Sequence, residues 1–230
     1  MRKRVLLSTL GAAMILSGCG ESASSAGSSS VTLDGKVADG YLVGAKVCLD
    51  KNANLACESD EPSAISTKGG AFSISGVTQS DIENYNIVAE ITAQTIDEDT
   101  NQSVDKPYVL YANAKSKFVS PLTTQLFYMM DRFAVSDAET AKKLLADSMG
   151  LSDATLVQSD YVAKAASGDA EAQKAHEWAK AYAALRGKMQ ESVESANLNY
   201  TDFYKQQYVS SVLFDYTEDI NASFSANQVD

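Results

Sequence analysis

The sequence predicts an α+β protein: an antiparallel β-sandwich over residues 31–117, followed by an α-helical region over 118–230. Three observations predict it. Short β-type runs separated by turn dipeptides fill the first half. Ser120-Pro121 then starts a second half in which apolar residues recur at helical spacing. About 200 residues follow the N-terminal segment, enough for one domain with a good core or two small ones.

The N-terminus carries an address. Arg2, Lys3 and Arg4 form a positive region, and Val5 to Leu16 form an apolar stretch of signal-peptide length, too short for an ordinary membrane span. Leu16-Ser17-Gly18-Cys19 resembles the lipobox of bacterial lipoproteins: an aliphatic residue, two small ones, then the cysteine that is lipidated and becomes the first mature residue. The resemblance implies removal of residues 1–18 and a lipid anchor on Cys19. The alternative is an ordinary signal peptide with an incidental cysteine. Gly20 is not the aspartate that commonly retains such lipoproteins in the inner membrane. The resemblance therefore implies the outer membrane, with the periplasmic and extracellular faces both open. Glu21 to Ser30 reads ESASSAGSSS, so residues 19–30 form a lipidated cysteine and a Ser-rich tether.

Losing Arg2, Lys3 and Arg4 with the signal peptide leaves 16 basic residues against 30 acidic, a net charge of −14. That balance argues against nucleic acid or anionic lipid as a partner and is compatible with calcium. With Cys19 assigned to lipid, Cys48 and Cys57 remain in an oxidising compartment. An even remainder suggests a disulfide; the alternative is two buried free thiols.

Val31 to Leu33, Tyr41 to Leu49, Ala71 to Ser75, Tyr85 to Ala93 and Tyr108 to Ala112 read as strands. Asp34-Gly35, Asp39-Gly40 and Gly69-Gly70 read as turns, the first two suited to tight hairpins. Ser120 is a helix N-cap with proline at the first helical position. Leu122, Leu126, Met129, Met130 and Phe133 then share a face. Ser136 to Glu139 reads as a capping box, followed by Ala141, Leu144, Leu145 and Met149 at helical spacing and by Gly150 as a stop. Asp169 opens the longest helix, with a stripe of Ala175, Trp178, Tyr182, Leu185, Met189 and Val193. A last helix starts near Thr201, and its Tyr204, Tyr208, Val212 and Tyr216 are expected to face the core. Asn221 to Asp230 reads as frayed.

One segment carries chemistry. Asp50 to Glu61 (DKNANLACESDE) is twelve residues long and places side-chain oxygens at its first, third, fifth, ninth and twelfth positions: Asp50, Asn52, Asn54, Glu58 and Glu61. The seventh, Ala56, offers a backbone carbonyl. This is the ligand spacing of an EF-hand-type calcium loop, since a hard cation needs six to eight oxygens from a tight turn. The sixth position, normally glycine, is Leu55, which disfavours the left-handed conformation by about 1 kcal/mol or more. The same residues also fit an Asn/Asp-rich turn whose side chains cap their own backbone. A second acidic group, Asp97-Glu98-Asp99 with Asn101 and Asp105, reads as a solvated hairpin tip or a second cation site.

Gly35 to Cys48 (GKVADGYLVGAKVC), then Asp50 to Pro62, then Thr67 to Ile74 (TKGGAFSI), resemble the prealbumin-like sandwiches of bacterial surface proteins, including Cna B-type and carboxypeptidase-regulatory-like domains. Phe118 to Thr124 (FVSPLTT) is similar to a segment that follows such a sandwich in lipoproteins of marine gammaproteobacteria. The resemblance implies a surface module with a structural calcium ion and no enzymatic activity. The residues agree on the last point. His176 is the single histidine, and no GxSxG, HExxH, CxxC or phosphate-binding glycine loop is present. The expected function is a non-catalytic, lipid-anchored protein acting in adhesion, scaffolding or assembly through an unknown protein partner. The alternative is a carbohydrate-binding module, since the chain holds eleven tyrosines. An enzyme would require a cavity holding paired acids with displaced pKa values.

Overall fold

A computed structural model describes residues 30–197, 199–217 and 219–220. The expected signal peptide (1–18), Cys19, the expected tether up to residue 29 and the C-terminal stretch 221–230 lie outside the described residues. In chain order the elements are β1 (Val31–Val37), β2 (Leu42–Val43), β3 (Lys46–Asp50), β4 (Ser63–Ile65), β5 (Ala71–Val77), α1 (Gln79–Asn84), β6 (Asn86–Ile91), β7 (Ile96–Asp97), β8 (Gln102–Ser103), β9 (Tyr108–Ala112) and β10 (Phe118–Val119). Then follow α2 (Pro121–Arg132), α3 (Ala138–Ser148), α4 (Tyr161–Ala166), α5 (Ala170–Ser195) and α6 (Asp202–Asp215). The protein is α+β, with small sheets first and helices after.

Three sheets form, with strand orders β10-β1-β5, β4-β3-β6-β9 and β2-β7-β8. All pairs are antiparallel except β1 with β10, which run parallel, Lys36 opposite Phe118. The sheet region therefore extends two residues past 117, and it is not purely antiparallel. The first two sheets share one core: Leu33 and Ile74 from one, Val47, Leu49, Ile87 and Leu110 from the other. A second core lies among the helices, around Leu122, Leu126, Leu145, Tyr161, Trp178 and Tyr182. The Trp178 indole N–H donates to the Met149 carbonyl at 3.0 Å, so its polar edge is satisfied inside that core. Among the described residues no helix is long and apolar enough to cross a membrane.

Several local readings change. Asp34-Gly35 closes no hairpin; it lies inside β1, where Gly35 faces Phe72 of β5. A Cβ there would come within 2.5 Å of the Phe72 ring and 2.8 Å of the Lys117 carbonyl, so this glycine serves close strand approach. Asp39-Gly40 does turn the chain, between bridged Ala38 and Tyr41. The run from Tyr41 to Leu49 breaks at Gly44, whose φ of 89° separates β2 from β3. The short α1 was not anticipated, although Thr78 and Asp81 make a capping box around it.

The starts of α2, α5 and α6 follow the sequence closely, whereas α4, capped by Asp160, was not anticipated. Ser120 caps α2 with Thr123, Asp169 caps α5 and Thr201 caps α6. The cap of α3 is Asp137 rather than Ser136, because its carboxylate reaches the N–H groups of Glu139 at 3.4 Å and Thr140 at 3.1 Å. Helix α2 is buried along Pro121 to Met129, packed between β9 on one side and α3, α5 and α6 on others. Phe133 and Leu144, expected on core faces, are about half exposed.

Candidate functional site

The 50–61 loop starts where β3 ends. Cys48 of β3 is joined to Cys57 by a disulfide, with the Cα atoms 5.7 Å apart. The bridge pins the loop to a central strand of the four-stranded sheet. Lys46 Nζ holds the Cys57 carbonyl at 2.8 Å, and the Cys57 N–H donates to Glu90 of the neighbouring β6 at 2.9 Å. Replacing Cys48 and Cys57 by alanine together is expected to lower stability by about 2–3 kcal/mol through the freed ten-residue loop. Guanidinium denaturation measures it, and a loss below about 0.5 kcal/mol would contradict the pinning role.

Inside the loop Asp50, Glu58 and Glu61 turn inward, while Asp60 is exposed. Asp50 accepts from the N–H groups of Asn54 at 3.1 Å and Leu55 at 3.0 Å. Glu61 accepts from Lys51 N–H at 2.7 Å and Glu58 N–H at 3.1 Å. Glu58 meets the amide of Asn52 at 3.1 Å and the amide of Asn54. The Asn54 side-chain oxygen Oδ1 accepts from Ala56 N–H at 2.9 Å, and the Ala56 backbone carbonyl lies 3.9 Å from Cys48 Sγ. Asn52, Asn54 and Glu58 therefore converge, Asp50 and Glu61 bracket them, and the Ala56 carbonyl sits beside the disulfide. Burial, together with the charge of Glu58, raises the Asp50 carboxyl. Burial and then the charges of Asp50 and Glu58 raise that of Glu61. Among the described residues no group of three or more Asp, Glu, His or Cys side chains stands together to hold a metal. A cation here would need the Asn carbonyls and backbone oxygens as well as the carboxylates.

Leu55 explains how this loop dispenses with glycine. Its φ is 61° and that of Ala53 is 59°, so the left-handed turn of the sixth position is present. The Leu55 side chain is 1% exposed and packs with Cys48, Val88, Tyr111 and Phe127. Burying a leucine contributes roughly 1.5–3 kcal/mol, which outweighs about 1 kcal/mol of backbone strain.

The 97–105 acidic group does contain a hairpin tip, 98–101 turning between β7 and β8 with Asn101 and Asp105 exposed, but contacts outside the hairpin tie it down. Asp99 Oδ2 stands 2.8 Å from His176 Nε2 on α5, and Glu98 accepts the Gly69 N–H at 3.0 Å. Asp97 accepts from Asp99 N–H at 2.9 Å and the Thr100 hydroxyl at 3.0 Å. These contacts draw the segment over Gly40, where a Cβ would come within 2.5 Å of Asp97 Oδ1. Beneath it lies Asp39, which the turn reading had treated only as punctuation. Asp39 is buried and accepts from the Tyr108 hydroxyl. Burial, and then the charges of Asp97 and Asp99, push its carboxyl up to about 7 against the Tyr108 hydrogen bond.

Two further features escaped the sequence. Arg186 of α5 is 1% exposed and makes no salt bridge to a carboxylate among the described residues. It donates to the Gln206 side-chain carbonyl at 3.1 Å, to the Tyr111 hydroxyl at 3.4 Å and to Ser210 Oγ. Burial lowers its pKa, opposed by Tyr111. Gln206 and Ser210 thus form the inward face of α6 with Val209 and Leu213. That overturns the expected tyrosine stripe: Tyr204, Tyr208 and Tyr216 are each at least half exposed. Residues 204 and 206 differ by about 200° around a helix, so turning Gln206 inward turns Tyr204 outward. Tyr204 and Tyr208 border a cavity of about 720 Å³ with Tyr128, Arg132, Tyr200 and Gln207.

No protein-family model, curated protein or solved structure matches the chain.

Proposed function

We propose that this chain is a non-catalytic, lipid-anchored outer-membrane protein, a prealbumin-like sandwich stiffened by calcium, acting in adhesion, scaffolding or assembly through protein contacts. The observation that carries the reading is the 50–61 loop. Its backbone takes the left-handed turn of a calcium loop at Leu55, a disulfide pins it, and Asn52 and Asn54 place amide donors against Glu58 where a cation would neutralise it. The lipobox-like Leu16 to Cys19 supports the anchor, and the acidic balance disfavours nucleic acid.

Thermal melts of the full chain carrying Cys19→Ser, with calcium and then with chelator, test it. Calcium at a hundred times its Kd is expected to add about 2.7 kcal/mol, or roughly 5–10 °C in midpoint for a domain of this size. The gain disappears in Asn52→Ala with Asn54→Ala. The raised Asp50 and Glu61 add a pH signature. In chelator their contribution to stability is fully present at low pH and is lost as pH rises through their raised folded values. Calcium removes that slope. No shift at millimolar calcium would leave the segment a self-capped turn.

A second reading, a carbohydrate-binding module, is favoured by the exposed Tyr200, Tyr204 and Tyr208 along one groove. Exposed aromatic faces stack on sugar rings. A glycan array with the same protein discriminates, and Tyr204→Ala should abolish any signal that arises from this face.

A further inference from the structure

We propose that the cavity between the 97–108 segment and α5 binds a small zwitterion of the amino-acid class, its ammonium against Asp39 and its carboxylate against Lys188. The cavity measures about 380 Å³, within the range of small-molecule sites. Asp39 and Tyr108 are buried and form its inner end, and Lys188 is exposed at its mouth. Gly187 lets α5 close one wall, since a Cβ there would meet the Lys106 carbonyl at 2.8 Å.

The charges select the ligand. Asp39 is only 9% exposed, yet its Oδ1 has no hydrogen-bond partner while Oδ2 takes the Tyr108 hydroxyl. A buried carboxylate oxygen without a donor is costly, and a donor arriving through the cavity removes that cost. Asp97, on the same wall, makes the donor preferentially cationic. The other lysines of the cavity are occupied: Lys106 pairs with Glu191 and Lys180 with Glu177. Lys188 has no ion pair among the described residues. An unsatisfied anion at the floor and an unpaired cation at the mouth suit a ligand with both charges. A metal ion would leave Lys188 unused and meet no grouped ligand set, among the described residues.

Saturation-transfer NMR on the full chain with Cys19→Ser, at pH 8, tests this with glycine, L-alanine and L-serine as probes. Ethylamine, propionate and glucose are the controls. Saturable binding of an amino acid is expected, with ethylamine and propionate each weaker by at least about tenfold. Asp39→Asn and Lys188→Gln should each weaken it by a similar factor. The proposal is overturned if none of the three amino acids saturates by about 10 mM, if ethylamine binds equally well, or if glucose binds instead. Should Asp39→Asn fail to fold by circular dichroism, Lys188→Glu decides. It sits at the exposed mouth, and unchanged affinity there would overturn the assignment.

Discussion

Arg186→Ala is expected to destabilise the protein by about 2–4 kcal/mol, through a vacated buried volume and three abandoned acceptors. The guanidinium ties the Tyr111 hydroxyl of β9 to Gln206 and Ser210 of α6, so it joins sheet and helices at one point. Its ring contact with Tyr111, 5.3 Å from charge to centroid, offsets part of the missing counter-ion. Arg186→Met keeps most of the volume and should cost less. Combining Arg186→Met with Tyr111→Phe, Gln206→Leu and Ser210→Ala should recover most of the loss, because a fully apolar contact replaces an expensive polar one. Urea denaturation gives the energies, and hydrogen exchange shows whether α6 opens first. An alanine variant within about 0.5 kcal/mol of the parent would mean the network holds nothing together.

The second large effect is a pH dependence of unusual sign. Asp39 titrates at about 7 in the folded chain against an ordinary 3.8. Between those values the folded state holds a proton that the unfolded state has released. Stability from this group is therefore complete below about pH 4 and falls as pH rises toward 7, on the order of 4 kcal/mol in all. Asp39→Asn keeps the Tyr108 hydroxyl partnered and carries no charge. It should be more stable than the parent at pH 8, with the gap closing toward pH 5. Midpoints across pH 5–8 measure this, in buffer free of calcium and amino acids. An asparagine variant less stable at pH 8 would show that Asp39 is ionised at no cost, with Oδ1 satisfied.

Local features were the most legible. Ser120, Asp169 and Thr201 cap the helices they were read to start, because a capping bond involves residues three apart and no tertiary partner. The Cys48–Cys57 pair and the inward-turned Asp50, Asn54 and Glu58 follow from spacing within one short loop. Leu55 was read as an obstacle because its benefit lies elsewhere: the pocket that buries it is built by Val88, Tyr111 and Phe127. Asp34-Gly35 misled for the same reason, since Phe72, not local turn chemistry, selects the glycine.

The sequence by itself determined the order of sheets before helices, the starts of α2, α5 and α6, and the loop that spaces its oxygens. All of these depend on residues a few positions apart. Only the tertiary structure decided which way α6 faces, why Asp39 is buried and what Arg186 holds. A tyrosine stripe at helical spacing is equally amphipathic facing in or out. Its direction was set by a buried guanidinium, which drew Gln206 and Ser210 inward and left the tyrosines to solvent.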